Sequence, residues 1–340
     1  MFVTFKLVKV FGFILWINKS AVVDSYGECG QLSYGKIVGG RDVGKYIYPW
    51  FVALTRDDSP RCGGTLITMR CILTAAHCFK PFFKSVSYGY MTLEEAFKPT
   101  FGVYNSCRPE TTQKVFEVEK VFLHEGFEKE DPYYDIALIR LKENAEGFHP
   151  TCLPLKAFDS STRPHAGHIT GLGKKKWRAP QGTCTLQEAT VKIYDDDTCR
   201  NIINSSGGKG ELFIHAFCAG YLEGGIDACT GDSGGPLLYN SNFGYTLLGI
   251  TATGYECAKP NKLGFYTDVS HFLDWVRSKI GNELPRTDRI PGDFQSTKCK
   301  LQTLSLVENT SETETLNNSS SNRHLENENT EEVNSTRRFE

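Results

Sequence analysis

Between Gly224 and Pro236 the chain reads GGIDACTGDSGGP, and few backbones accept that run. Glycine at such density marks close approach to a neighbour or dihedrals that a Cβ forbids. Inside it, Ser233 sits among Gly231, Gly234 and Gly235, behind Asp227 and Asp232. A serine hydroxyl becomes a useful nucleophile only beside a base and an anion-stabilising pocket. Backbone N–H groups around such a serine can form that pocket. The same letters also suit a plain turn between two strands, so the base must be sought elsewhere in the chain.

Composition narrows the search. The 340 residues are 40% hydrophobic, enough for one large core or two smaller ones. A formal net charge of -2 gives no reason to expect nucleic acid as a partner. The 12 cysteines are dispersed with no CxxC pair, which favours disulfides over zinc. Lys6 and Lys9 precede the apolar run Val10–Ile17, which reads as a secretory signal over residues 1–21. The run is short for a membrane span, and a retained anchor is the competing reading. Passage through the secretory route would let disulfides persist.

Strand-like runs follow at short intervals: Pro49–Thr55, Gly64–Met69, Cys71–Ala75, Asp135–Leu141, Gln187–Tyr194, Pro236–Tyr239 and Tyr245–Thr251. Their β-branched and aromatic content, broken by turn residues, predicts an all-β domain. Asn240–Gly244 reads as a hairpin loop. A helix should close the domain, capped by Ser270, with Phe272, Val276 and Ile280 on one face and Gly281 at its end. Beyond residue 301 Asn, Ser, Thr and Glu dominate, and residues 283–340 read as a disordered tail. Glycosylation acceptors stand at Asn309, Asn317, Asn318 and Asn334, with another at Asn204.

Two further motifs supply the missing base. His77 lies in Thr74–Cys78, TAAHC, and Asp135 heads the apolar run DIALIRL. A carboxylate in such a run is costly to bury unless paired, and an imidazole that it orients is a natural partner. His77, Asp135 and Ser233 then make a Ser-His-Asp relay.

TAAHC, DIALIRL and GDSGGP, in that order behind Ile37-Val-Gly-Gly40, resemble the trypsin/chymotrypsin family of serine proteases across residues 37–282. The resemblance implies two six-stranded antiparallel β-barrels with a C-terminal α-helix and the active site in the cleft between them. It implies Ser233 as nucleophile, His77 as general base and then acid, Asp135 orienting His77, and Gly231 and Ser233 N–H groups as oxyanion hole. It implies a propeptide, residues 22–36, removed by a trypsin-like protease cutting after Lys36. The freed Ile37 ammonium would pair with Asp232. Asp227 would form the floor of the primary pocket, with Ala228 beside it and Gly254 and Gly264 as walls. That arrangement suits Arg or Lys on the acyl side, and Ala228 in place of a serine tilts it toward Arg. No cofactor and no metal is implied.

The resemblance also pairs cysteines: Cys62–Cys78, Cys199–Cys218, Cys229–Cys257, Cys29–Cys152 and Cys107–Cys184. Cys71 would pair with Cys299 or stay unpaired. A bridge common in the family is absent, with Gly167 and Tyr239 at its two positions. Ala252-Thr-Gly254 replaces the usual Ser-Trp-Gly, removing an aromatic shelf and a hydroxyl directed at Asp135. The long loop Phe79–Thr112 shows no convincing calcium-binding acid pair. Lys174–Arg178, KKKWR, reads as a solvated basic loop, with an exosite or an autolysis loop as other readings.

The expectation is a secreted, extracellular endopeptidase acting on proteins or peptides. Protein protease inhibitors are further candidate partners. The alternative is a catalytically weak binding protein built on the same fold.

Overall fold

A computed structural model of the chain describes residues 29–32, 48–82, 92–108, 110–127, 134–205, 215–241, 244–254 and 256–281. Runs of buried apolar residues make the first sheet. In β3 (Cys71–Thr74) every side chain is buried, and in β7 (Ala137–Leu141) only Arg140 is not. Both lie inside a sheet that also contains β1 (Phe51–Arg56), β2 (Ser59–Leu66), β4 (Lys98–Phe101), β5 (Lys114–Val115) and β6 (Val118–Leu123). The strand order is β5-β4-β1-β2-β3-β7-β6, antiparallel throughout. Trp50, Phe101, Phe116, Phe148 and Leu138 fill its concave side.

The second sheet closes on itself in the order β10-β13-β12-β11-β8-β9. Its strands are β8 (Ala166–Gly171), β9 (Gln187–Ile193), β10 (Ala216–Gly220), β11 (Pro236–Ser241), β12 (Gly244–Gly254) and β13 (Gly264–Asp268). Ile169, Val191, Phe217, Leu237 and Tyr266 fill the interior. Closure removes the free strand edges that would otherwise invite pairing with another chain. The all-β expectation holds, with one closed six-stranded barrel and one curled sheet of seven strands, β5 being only two residues long.

The helix ending the described region differs in its start. A 3-10 turn, Val269–Phe272, precedes α2 (Leu273–Ile280; α1 is Asp196–Ser205). The cap is Asp268, whose carboxylate accepts from Ser270 N and Oγ, and not Ser270 itself. A carboxylate next to free N–H groups outcompetes a hydroxyl as acceptor. Phe272, Val276 and Ile280 are buried on one face, and Gly281 ends the helix at φ 59°. α1 went unread in the sequence, although Asp195 caps it through Thr198 N at 2.7 Å.

All five expected disulfides are formed: Cys29–Cys152, Cys62–Cys78, Cys107–Cys184, Cys199–Cys218 and Cys229–Cys257. Cys71 is fully buried in β3, and Cys299 lies outside the described residues. Cys29–Cys152 spans 123 residues and carries the segment before the protease domain onto β12, where Tyr245 N bonds Gly30 O.

Candidate active site

The two sheets share a side-chain core, with Trp50 against Tyr245, and around Ser233 they also meet through backbone. Gly63 N donates to Ser233 O at 2.7 Å, and a Cβ on Gly63 would stand 2.7 Å from Gly235 Cα. Gly234 takes φ 78° and leaves no room beside Thr74 Oγ1 and Gly63 O. Substituting either glycine would push the sheets apart, which is the physical reason for the density of glycine around Ser233.

His77 sits in a 3-10 helix, Ala76–Phe82, entered from β3. Asp135, 3% exposed, holds it twice: His77 N donates to Oδ1 at 2.8 Å, and His77 Nδ1 lies 2.7 Å from Oδ2. This double grip sets the ring plane and directs the proton to Nδ1, leaving Nε2 as an acceptor. Thr267 Oγ1 donates to Asp135 O at 3.0 Å, tying the carboxylate's backbone to β13. Ala252 is buried and offers the carboxylate no hydroxyl. The Cys62–Cys78 disulfide joins β2 to the histidine's helix, and Cys78 Sγ lies 3.8 Å from Ser233 O. In this conformation Ser233 Oγ makes no hydrogen bond to His77 among the described residues. Catalytic hydrogen bonds of this kind tighten when substrate arrives.

Gly231 adopts φ 102°, and a Cβ there would press on Gly173 Cα at 3.0 Å. Neither Gly231 N nor Ser233 N has an acceptor among the described residues, while Asp232, Gly234 and Gly235 all spend theirs on backbone carbonyls. Two unspent donors thus stand at Ser233 and two residues before it. Three possible metal ligands converge here, Cys62, His77 and Cys78, but both sulfurs are committed to their disulfide.

Asp232 is held by two backbone N–H groups. Its Oδ1 accepts from Gly173 N at 2.7 Å and its Oδ2 from Cys229 N at 2.9 Å. Gly171 and Gly173 must be glycine, because a Cβ on either would overlap this carboxylate. Burial pushes its pKa up to about 6, against the two backbone bonds that lower it. No Lys, Arg or His among the described residues pairs with it. A cavity of about 280 Å³ lies alongside, edged by Lys174, Glu188 and Asp227. Lys36 and Ile37 lie outside the described residues.

Asp227 lines the same cavity. Its Oδ2 accepts from Ala258 N at 3.2 Å, while its Oδ1 is buried without a partner. A Cβ on Gly264 would come within 2.8 Å of that oxygen. Gly254 and Gly264 are cross-strand partners on β12 and β13. Tyr266 OH, a second buried group without a partner, lies 3.3 Å from the same Cβ position. Burial raises Asp227 to about 6. Sequence reasoning missed Tyr266 and Thr267; reading alternate residues after Gly264 as one face finds Tyr266, whereas Thr267 lies on the other face of β13. Ala228 lies half-buried next to Asp227, and Thr253 is exposed at the rim.

Residues 37–276 match the family model described as Trypsin. The chain belongs to the trypsin family. Among curated trypsin-family relatives, it is 35% identical over 264 residues to transmembrane protease serine 11G of mouse, covering 74% of this chain and 58% of that protein. It is 34% identical over 252 residues to the rat protein of the same name, covering 72% and 55%. It is 32% identical over 263 residues to human testisin, covering 74% of this chain and 80% of testisin. The chain therefore spans little more than half the length of the two 11G proteins. No helix among the described residues is long and apolar enough to cross a membrane.

Proposed function

We propose that this chain is a secreted serine endopeptidase, made as a precursor, that cleaves peptide bonds after Arg, and less readily after Lys. The observation that carries the reading is the double hydrogen bond from His77 to Asp135, set beside a serine turn with two unspent N–H donors. His77 Nε2 takes the Ser233 proton as Oγ attacks the scissile carbonyl carbon. The carbonyl oxygen becomes an oxyanion between Gly231 N and Ser233 N. Collapse expels the amine, which takes the proton from His77. Water, deprotonated by His77, then attacks the acyl-serine, and collapse releases the acid as His77 gives that proton to Ser233 Oγ. Asp135 stabilises the imidazolium in both halves.

For the precursor, cleavage after Lys36 by a trypsin-like protease would free the Ile37 ammonium to pair with Asp232. A buried carboxylate raised to about 6 and lacking a cation is a standing cost that such pairing removes. The organisation proposed is residues 1–21 signal, 22–36 propeptide, 37–282 protease domain and 283–340 tail. Cys29–Cys152 would keep the propeptide attached, and Asn204, exposed in α1, is open to glycosylation.

For specificity, Asp227 is the carboxylate that a guanidinium would satisfy with two parallel hydrogen bonds. A lysine ammonium is a point charge and gains less without a hydroxyl at Ala228.

The relatives' printed name, transmembrane protease, favours a second reading for location. In it the run Val10–Ile17 is retained as part of an anchor. N-terminal sequencing of protein recovered from medium or from membranes separates the two.

A fluorophosphonate probe tests the central claim. After processing at Lys36 it should label Ser233. Lack of labelling would leave a binding protein on a protease fold as the better reading.

A further inference from the structure

We infer that Tyr134 is a positioning residue for Asp135: its ring, boxed in by His124, His215 and Phe272, holds the backbone turn that aims the carboxylate at His77. The inference rests on the endopeptidase reading above.

The backbone makes the connection. Tyr134 takes φ 61°, a left-handed conformation that a bulky side chain rarely adopts and that its surroundings must impose. Tyr134 O accepts from Ile136 N at 2.7 Å, so the two neighbours of Asp135 close a three-residue turn around it. The peptide plane between Tyr134 and Asp135 therefore sets where the Asp135 side chain leaves the backbone. Ile136 O accepts from His124 N at 3.2 Å, and Asp135 O from Thr267 Oγ1 at 3.0 Å. Apart from its two bonds to His77, Asp135 is thus held through main chain among the described residues, and Ala252 adds no hydroxyl.

The ring explains why the strained turn persists. His124 lies flat on Tyr134, with ring centroids 4.8 Å apart and planes 11° apart. Phe272 meets both rings edge-on, at 5.3 Å from His124 and 6.2 Å from Tyr134. His215 closes the side at 6.0 Å, and Trp275 backs His124 at 5.2 Å. Aromatic pairs in these geometries contribute beyond the area they bury. Space is cleared for the tyrosine: a Cβ on Gly126 would stand 2.7 Å from its Cδ2. Gly126 N also donates to His124 Nδ1 at 3.0 Å, which fixes the plane of the stacked imidazole. On the far side His215 O accepts from Asp268 N at 2.8 Å, next to the Thr267 that bonds Asp135 O. The box and the carboxylate therefore share one support at the end of β13. A turn of this hand asks only for Gly or Asn. A tyrosine with three aromatic neighbours and a glycine making room for it is held there for its ring.

The test uses the full chain processed after Lys36, with an arginyl amide as substrate. Tyr134→Gly accepts φ 61° without strain but removes the ring. Its kcat should fall about 10- to 100-fold, the scale on which small misplacements of catalytic groups act, with KM within about twofold. Tyr134→Phe keeps the ring and should hold kcat within about twofold of the parent. His124→Asn retains an acceptor for Gly126 N without the stacked ring. It should lower kcat in the same sense, and it serves if Tyr134→Gly does not fold. Proton NMR gives a second reading that loss of packing alone would not move. The far-downfield resonance of the His77–Asp135 hydrogen bond should be sharp in the parent and in Tyr134→Phe, and lost or broadened in Tyr134→Gly. Unchanged kcat in the Gly and Asn variants, or a loss confined to KM, would overturn the role of Tyr134. A kcat loss with the resonance intact would overturn it as well. A parent that does not hydrolyse the amide would overturn the endopeptidase reading. The resonance then decides the role of Tyr134 by itself, and its persistence in Tyr134→Gly would end it.

Discussion

Asp135 holds His77 at two points, 2.8 Å to the backbone N and 2.7 Å to Nδ1, and its carboxylate has no further donor at Ala252. The ring orientation thus depends on this one side chain. Asp135→Asn would present an N–H where an acceptor is needed and favour the wrong imidazole tautomer. The expected loss in kcat is on the order of 10⁴-fold, the scale that such relays show generally. KM should change little and the fold should persist. A loss under tenfold in kcat on an arginyl amide would contradict the role given to Asp135.

Asp232 makes an opposite-signed prediction for the unprocessed chain. Its folded pKa is raised to about 6, above the ordinary value of 3.8. Folding therefore favours the protonated form. The stability it contributes is complete below about pH 3.8 and is lost as pH rises through 6. Asp232→Asn should raise the melting temperature of the precursor at pH 7.5 and leave it nearly unchanged at pH 4. The same variant, processed at Lys36, should remain inactive. Thermal scans at the two pH values decide the first point, and a melting temperature lowered at pH 7.5 would count against it.

Asp227 should add a second ionisation to the acid limb of the pH profile. Burial raises it to about 6, so it becomes neutral as pH falls below that value and no longer attracts a guanidinium. Below that value log kcat/KM for an Arg substrate should fall more steeply, by a slope of up to about one, than in a protein without this carboxylate. In Asp227→Ser that added slope should disappear, at a much lower rate. An equal slope in both proteins would remove Asp227 from the pocket.

Ala228 tests the preference within that pocket. Ala228→Ser places a hydroxyl beside Asp227 and should narrow the advantage of Arg over Lys from several-fold toward parity. Matched peptides ending in Arg or Lys measure it. A preference that does not move would separate it from residue 228.

Cys29→Ser should release the propeptide on processing, because Cys29–Cys152 is the covalent link to the rest of the chain. Intact mass spectrometry of the processed wild type should include the propeptide, and that of the variant should not. Propeptide retained in the variant would show that the backbone bonds of Gly30 to Pro150 and Tyr245 hold it without the disulfide.

What the sequence by itself determined was carried by contiguous runs. TAAHC, DIALIRL and GDSGGP each combine a local conformation with a chemical group, so His77, Asp135, Ser233 and the glycine turn were legible without coordinates. The backbone freedom of glycine, which lacks a Cβ, is a local property, and so is the burial pattern of a short strand. The tertiary structure decided which distant groups meet. Arg163, buried, pairs with Asp268 and Asp196, 105 and 33 residues away, and thereby locks α1 to the end of β13. Tyr266 reaches the slot of Asp227 only because β12 and β13 pair in one register, with a bulge between Thr251 and Thr253. Lys174 meets Thr230 because β8 pairs with β11, which no spacing along the chain records. Local preferences are set within a few residues, whereas strand register and the side chains it juxtaposes are set by the packing of the whole sheet.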